Sequence, residues 1–162
     1  MVKYVLMLSK TFPAYHPRKG EPTDFRLALK NTLDFWRYDL SPVDMLYCKL
    51  HTIRVNYLLW KKRFEKIERG EACLSIRQWE GKPRRSKTIE IARLTKDDRI
   101  GLQRLDFKYG LLRAPIVDYR STMAEVVLAN NDGLSLEDWE AWFAKADTSK
   151  PMAIIQFSKF RY

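Results

Sequence analysis

The apolar positions of this chain switch period several times, and the switches mark its elements. Val2 to Leu8 is a short apolar run that reads as a first, mostly buried strand. Thr11 to Pro22 carries Pro13, Pro17, Gly20 and Pro22, so it is a loop, and His16 lies in it. Phe25, Leu29, Leu33 and Trp36 then recur at helical spacing after a capping Thr23, and Ser41-Pro42 ends that helix. A second helix is clearer. Asn56 caps it, Tyr57, Trp60, Phe64 and Ile67 line one face, and Gly70 stops it.

Alternation with a period of two follows. Ala72 to Trp79 places Leu74 and Ile76 on one face and Ser75, Arg77 and Trp79 on the other. Thr88 to Leu94 returns as the next strand across the loop Gly81-Lys82-Pro83-Arg84-Arg85-Ser86-Lys87. Ile100 to Phe107 reads as another strand. Thr122-x-x-Glu125 predicts a capping box for a short helix through Val126 and Val127. Ser135-x-x-Asp138 predicts a second box, opening a helix that buries Leu136, Trp139, Trp142, Phe143 and Ala146. Met152 to Tyr162 closes the chain as a strand. The helices therefore fall at about 23–38, 56–69 and 135–146, within a mixed α/β fold. No repeat, low-complexity stretch or linker divides the 162 residues, so one domain over 1–162 is expected.

Charge changes this picture by giving the chain a direction. Its net charge is +10. Residues 1–96 hold 21 Lys and Arg against 10 Asp and Glu, and residues 97–162 hold 9 against 10. A basic half suits a polyanion, nucleic acid first, or else a solubilising surface. The cations to test are Lys61, Lys62, Arg63 and Lys66 on the second helix, and Lys82, Arg84, Arg85 and Lys87 in the hairpin loop. The helical set can contact phosphates, or form a solvated face with pairs such as Lys61–Glu65 and Glu65–Arg69. Two cysteines, Cys48 and Cys73, are too few for a disulfide framework and suit a reducing cytoplasm. Cys48-x-x-His51 lacks a second ligand pair, so no metal is expected. The first apolar run is too short to span a membrane. No phosphate-cradling glycine loop is present, and no cofactor is expected.

The stretch Lys49-Leu50-His51-Thr52-Ile53-Arg54 concentrates the candidate chemistry. On a strand Thr52 and Arg54 share a face, and Lys49 reaches them only across a turn or bulge just before Thr52. An amine, a hydroxyl and a guanidinium brought together can hold an anion or activate a nucleophile. An ordinary strand with solvated charges gives the same pattern.

Lys49, Thr52 and Arg54 resemble the K-x-x-T-x-R signature of the ASCH superfamily. Asn131-Asp132-Gly133-Leu134-Ser135-Leu136-Glu137-Asp138-Trp139, continuing to Trp142-Phe143, resembles the acidic turn and helix that complete the ASCH pocket. The resemblance implies a PUA-like β-barrel with packed helices over residues 45 to 160, and an insert at about 13–47. Some ASCH proteins are small amidohydrolases that deacetylate N4-acetylcytidine. The resemblance would place their catalytic groups on Lys49, Thr52 and, with Asp for Glu, Asp132. Arg54 would stabilise the oxyanion or bind a phosphate. Arg77 and Trp79, on one face of their strand, line a polar substrate pocket with a stacking surface or else a solvent-facing side. The alternative it implies is a non-catalytic module that binds RNA or a modified nucleoside, with Trp79 or Tyr57 stacking on a base.

Overall fold

The computed structural model describes residues 1–38, 47–107 and 114–162. It is mixed α/β, with two sheets and four α-helices among those residues. Strand β1 (Val2–Met7) runs parallel to β3 (Ala72–Trp79), which pairs antiparallel with β4 (Thr88–Leu94). The second sheet has the order β2 (His51–Arg54), β8 (Met152–Gln156), β5 (Gly101–Phe107), β6 (Pro115–Val117) and β7 (Ser121–Thr122), antiparallel throughout.

The helix α2 (Tyr57–Glu68) lies against β3, β5 and β8 and buries Trp60, Phe64 and Ile67. Its ends are set by local chemistry. Asn56 takes a left-handed φ of 64° and accepts a hydrogen bond from the Leu59 amide, and Gly70 leaves the helix at φ 76°. Both were expected from sequence. So were the spans of β3 and β4, where period-two alternation meets clear turn residues.

Three expectations change. The strand β1 forms, but it is the edge of its sheet, so Val2 and Val5 are exposed and only Leu6 within it is buried. The helix α3 (Glu125–Asn131) begins after Ala124 with no side-chain cap, because Thr122 is already held in β7. The closing strand ends at Gln156 rather than Tyr162. The barrel also needs correction. Among the described residues the ladders do not close, since β1 pairs with β3 and β2 with β8. The helix α2 follows β2 directly and fills the space between the sheets. Arg54 Nη2 donates to the Met7 carbonyl at 2.5 Å, so a side chain joins β2 to β1 where a barrel would have a ladder.

The helix α1 (Phe25–Tyr38) buries Phe25, Leu29 and Phe35. Thr23 ties its start to Ser9 by donating to that carbonyl at 2.7 Å, and its contact with the Phe25 amide is long, 3.4 Å. The expected stop at Ser41-Pro42, and part of the expected 13–47 insert, lie outside the described residues. The loop 11–22 does more than connect. His16 is buried, with Nε2 3.0 Å from the Asp138 carbonyl, and Arg18 donates to Asp138 Oδ2 at 2.6 Å. Phe12, His16 and Trp142 pack as a ring cluster that fastens this loop to α4 (Leu136–Phe143).

Candidate active site

Lys49 precedes β2 rather than lying in it. Its amide donates to Ala28 of α1, and the Leu50 amide donates to Asn131 of α3. These two bonds turn the chain so that the Lys49 side chain enters the interior, as the expected turn before Thr52 requires. Asp132 is the residue after α3, and its amide closes that helix on Leu128 and Ala129. Gly133 follows at φ 81°, where a Cβ would press Lys49 Cβ at 3.4 Å. A side chain there would be strained by the backbone, so glycine suits the turn that lays the second motif on the first.

The two motifs meet in a buried ion pair. Lys49 Nζ donates to Asp132 Oδ1 at 2.5 Å and to the Asp132 carbonyl at 2.6 Å. The amine also sits 4.0 Å from the centre of the Phe25 ring. Both side chains are withdrawn from solvent. Burial presses the Lys49 amine below its ordinary range, with Arg54 adding to this and Asp132 opposing it. Burial lifts the Asp132 carboxyl, and the Lys49 and Arg54 charges oppose that. Burial thus pushes each partner toward its neutral form, and their mutual attraction opposes it. The Trp139 indole N–H favours the ionised carboxylate, although it lies outside full hydrogen-bond geometry.

Arg54 and Thr52 share a face of β2. The Arg54 guanidinium is anchored on Met7 and feels the Asp132 charge. Thr52 is buried, and its hydroxyl forms no hydrogen bond among the described residues. His51 faces the other way. Burial and the nearby Lys49 hold its imidazole neutral, and its Nε2 lies 2.7 Å from the Tyr162 hydroxyl, which also accepts from Asn131 at 2.9 Å. This His51–Tyr162–Asn131 link was not legible in sequence, because nothing in the spacing of residues 51, 131 and 162 announces it.

Residues of both motifs line one cleft of about 590 Å³, including Tyr47, Cys48, Leu50, Asn130, Asn131 and Gly133, whereas Lys49, Thr52, Arg54 and Asp132 are not among its lining residues. Gly133, in that lining, lies against the Lys49 stem.

No hydrogen bond or ion pair links Arg77 or Trp79 to Lys49, Thr52, Arg54 or Asp132 among the described residues. Arg77 donates to the Thr88 hydroxyl at 2.9 Å and to the Thr88 carbonyl at 3.2 Å, so its guanidinium serves the β3–β4 ladder. Trp79 lies opposite Thr88 at the far end of that hairpin. On α2, Lys61, Lys62 and Lys66 are exposed, whereas Arg63 is half-buried over the Trp60 and Tyr4 rings. The expected Lys61–Glu65 and Glu65–Arg69 pairs do not form among the described residues, and Arg69 pairs with Glu71 instead. Lys82, Arg84, Arg85 and Lys87 all stand exposed on a loop closed by the Glu80 amide on the Lys87 carbonyl. No group of three or more His, Cys, Asp or Glu suited to a metal occurs among the described residues. Nor, among them, is any helix long and apolar enough to cross a membrane.

No protein-family model, curated protein or solved structure matches the chain at a significant level. The functional reading therefore rests on the residues and their geometry.

Proposed function

We propose that this is an ASCH-like protein of PUA-like descent, and that its Lys49 site hydrolyses an acyl amide on the exocyclic nitrogen of a nucleobase, as in N4-acetylcytidine. One observation carries the reading. Lys49 and Asp132, 83 residues apart, meet at 2.5 Å in the interior, as the resemblance requires of its catalytic pair.

The chemistry follows from the environment. A lysine must lose its proton before it can serve as a base, and burial favours that loss. In the proposed reaction substrate entry frees the amine from the Asp132 carbonyl, and Lys49 takes the proton of the Thr52 hydroxyl. Thr52 Oγ attacks the acetyl carbon, and Arg54 steadies the charge that develops on oxygen. The amine leaves with the proton from Lys49, and water then releases acetate from Thr52. Asp132 holds the amine in place.

A second reading has its own support. The Lys49 amine is already satisfied by two acceptors and a ring face, which suits a site that holds a modified base without cutting it. Incubation with N4-acetylcytidine decides between them. The amidohydrolase reading expects cytidine and acetate at equal yield from the parent protein and none from Lys49→Ala. Saturable binding of the nucleoside without product would replace it with the binding module.

A further inference from the structure

Away from the Lys49 site, one turn holds an aromatic ring in solvent against the preference of its own backbone. The β6–β7 hairpin turns through Asp118 and Tyr119, at φ 50° and 61°, and closes with the Arg120 amide on the Val117 carbonyl at 3.1 Å. Positive φ at both central positions is the geometry that Asn-Gly satisfies cheaply. Asp118 is compensated, because its carboxylate accepts from the Arg104 amide at 2.8 Å and from Gln103 at 2.9 Å. Tyr119 has no such return. It is 71% exposed. A left-handed backbone is disfavoured for tyrosine, and such outliers cluster at functional sites.

The ring is nevertheless fixed. Its centre lies 4.6 Å from the Arg104 guanidinium, and the Tyr57 ring lies 5.7 Å from the same group. Arg104 is held in plane by a two-pronged bond to Asp106, at 2.7 and 2.9 Å. Tyr57 continues the surface into a largely apolar cleft of about 600 Å³, walled by Val55, Leu58, Pro151 and Met152. The acidic groups here are engaged, Asp106 by Arg104 and Asp147 by Ser149. Lys61, one helical turn beyond Tyr57, and Lys150 at the cleft wall form no ion pair among the described residues.

We infer that Tyr57, Arg104 and Tyr119 form a rigid stacking platform for the unpaired bases of a single-stranded nucleic acid. The Arg104 guanidinium stacks over the Tyr57 and Tyr119 rings, the exposed Tyr119 ring leaves π-surface for a base, and the lysines beside it match the phosphates. The +10 charge of the chain favours a polyanion over an uncharged peptide or sugar. The platform is separate from the Lys49 pair, so the inference does not depend on hydrolysis there.

The test is fluorescence anisotropy with a labelled six-residue oligoadenylate at low salt. Tyr119→Ala and Tyr57→Leu should each weaken binding roughly tenfold, and Tyr119→Phe should not. An abasic oligomer of the same length should bind weakly, and indifferently to Tyr119. Tyr119→Gly should lose binding while melting higher than the parent, since glycine relieves the turn; this separates lost stacking from lost folding. Equal binding of parent and Tyr119→Ala, or equal binding of the abasic and base-bearing oligomers, overturns the platform. Failure of N4-acetylcytidine turnover leaves it untouched, and turnover unchanged by Tyr119→Ala is expected.

Discussion

The Lys49–Asp132 pair concentrates most of the site's energetic risk in two side chains. A buried ion pair contributes little net stability over an apolar replacement, but one abandoned charge costs much more. Asp132→Asn removes the charge that balances the Lys49 amine, and urea unfolding at neutral pH should show a loss of roughly 3–5 kcal/mol. Lys49→Met likewise strands the Asp132 carboxyl, and in each single variant the group left behind is already inclined toward its neutral form. Replacing both, as Lys49→Met with Asp132→Leu, should cost less than Asp132→Asn alone. A double variant at least as unstable as that single one would mean the two groups are not energetically coupled. The members of this pair were legible in sequence only through the motif resemblance. By themselves K-x-x-T-x-R is an ordinary strand and Asp-Gly an ordinary turn. Arg77 and Trp79 were expected here because alternation places them together on one face of β3. Alternation cannot say which neighbour that face meets, and Thr88 claims Arg77 first.

At the scale of elements, the β3–β4 hairpin carries a pH-dependent tie. Glu90 accepts from Arg93 at 2.7 Å and from Ser75 at 2.7 Å, which holds its carboxyl down at about 2 against an ordinary 4.5. A depressed carboxyl adds stability that is complete above the unfolded value and is lost as pH falls through the folded one. Thermal melting of Glu90→Gln should therefore fall below the parent at neutral pH, with the gap closing between pH 4.5 and about 2. A constant gap across that range would assign the effect to packing instead. The elements read correctly from sequence were those with strong period and explicit punctuation, such as α2 between Asn56 and Gly70. Those missed were short. The strands β6 and β7 span three and two residues, too few for any period to register. Thr122-x-x-Glu125 matched a capping box in letters, yet pairing within β7 took the threonine. His16 looked like a loop residue because only its partner on α4, far along the chain, makes it interior.

For the whole molecule the basic half makes salt the test of the proposed nucleic-acid contact. Single-stranded RNA should bind with a log–log salt slope of about −0.7 per neutralised phosphate. Changing Lys82, Arg84, Arg85 and Lys87 together to Ser should flatten that slope in titrations from low to moderate salt. It should shift unfolding by no more than about 0.5 kcal/mol per site, since all four are exposed. A slope unchanged by the four substitutions would move the phosphate contacts to the α2 lysines.

The open edge at β1 gives salt a second role. Among the described residues its outer edge has no ladder partner, although Arg54 takes the Met7 carbonyl at its end, and Val2 and Val5 are exposed near Lys3. Such an edge invites another copy to extend the sheet. Like charge on every copy keeps them apart, and that repulsion is screened over a Debye length of about 10 Å at 0.1 M salt. The ions that would loosen the proposed grip on a polyanion thus also remove the barrier between copies. The same cations that would recruit a nucleic acid act as the colloidal guard of an unfinished sheet.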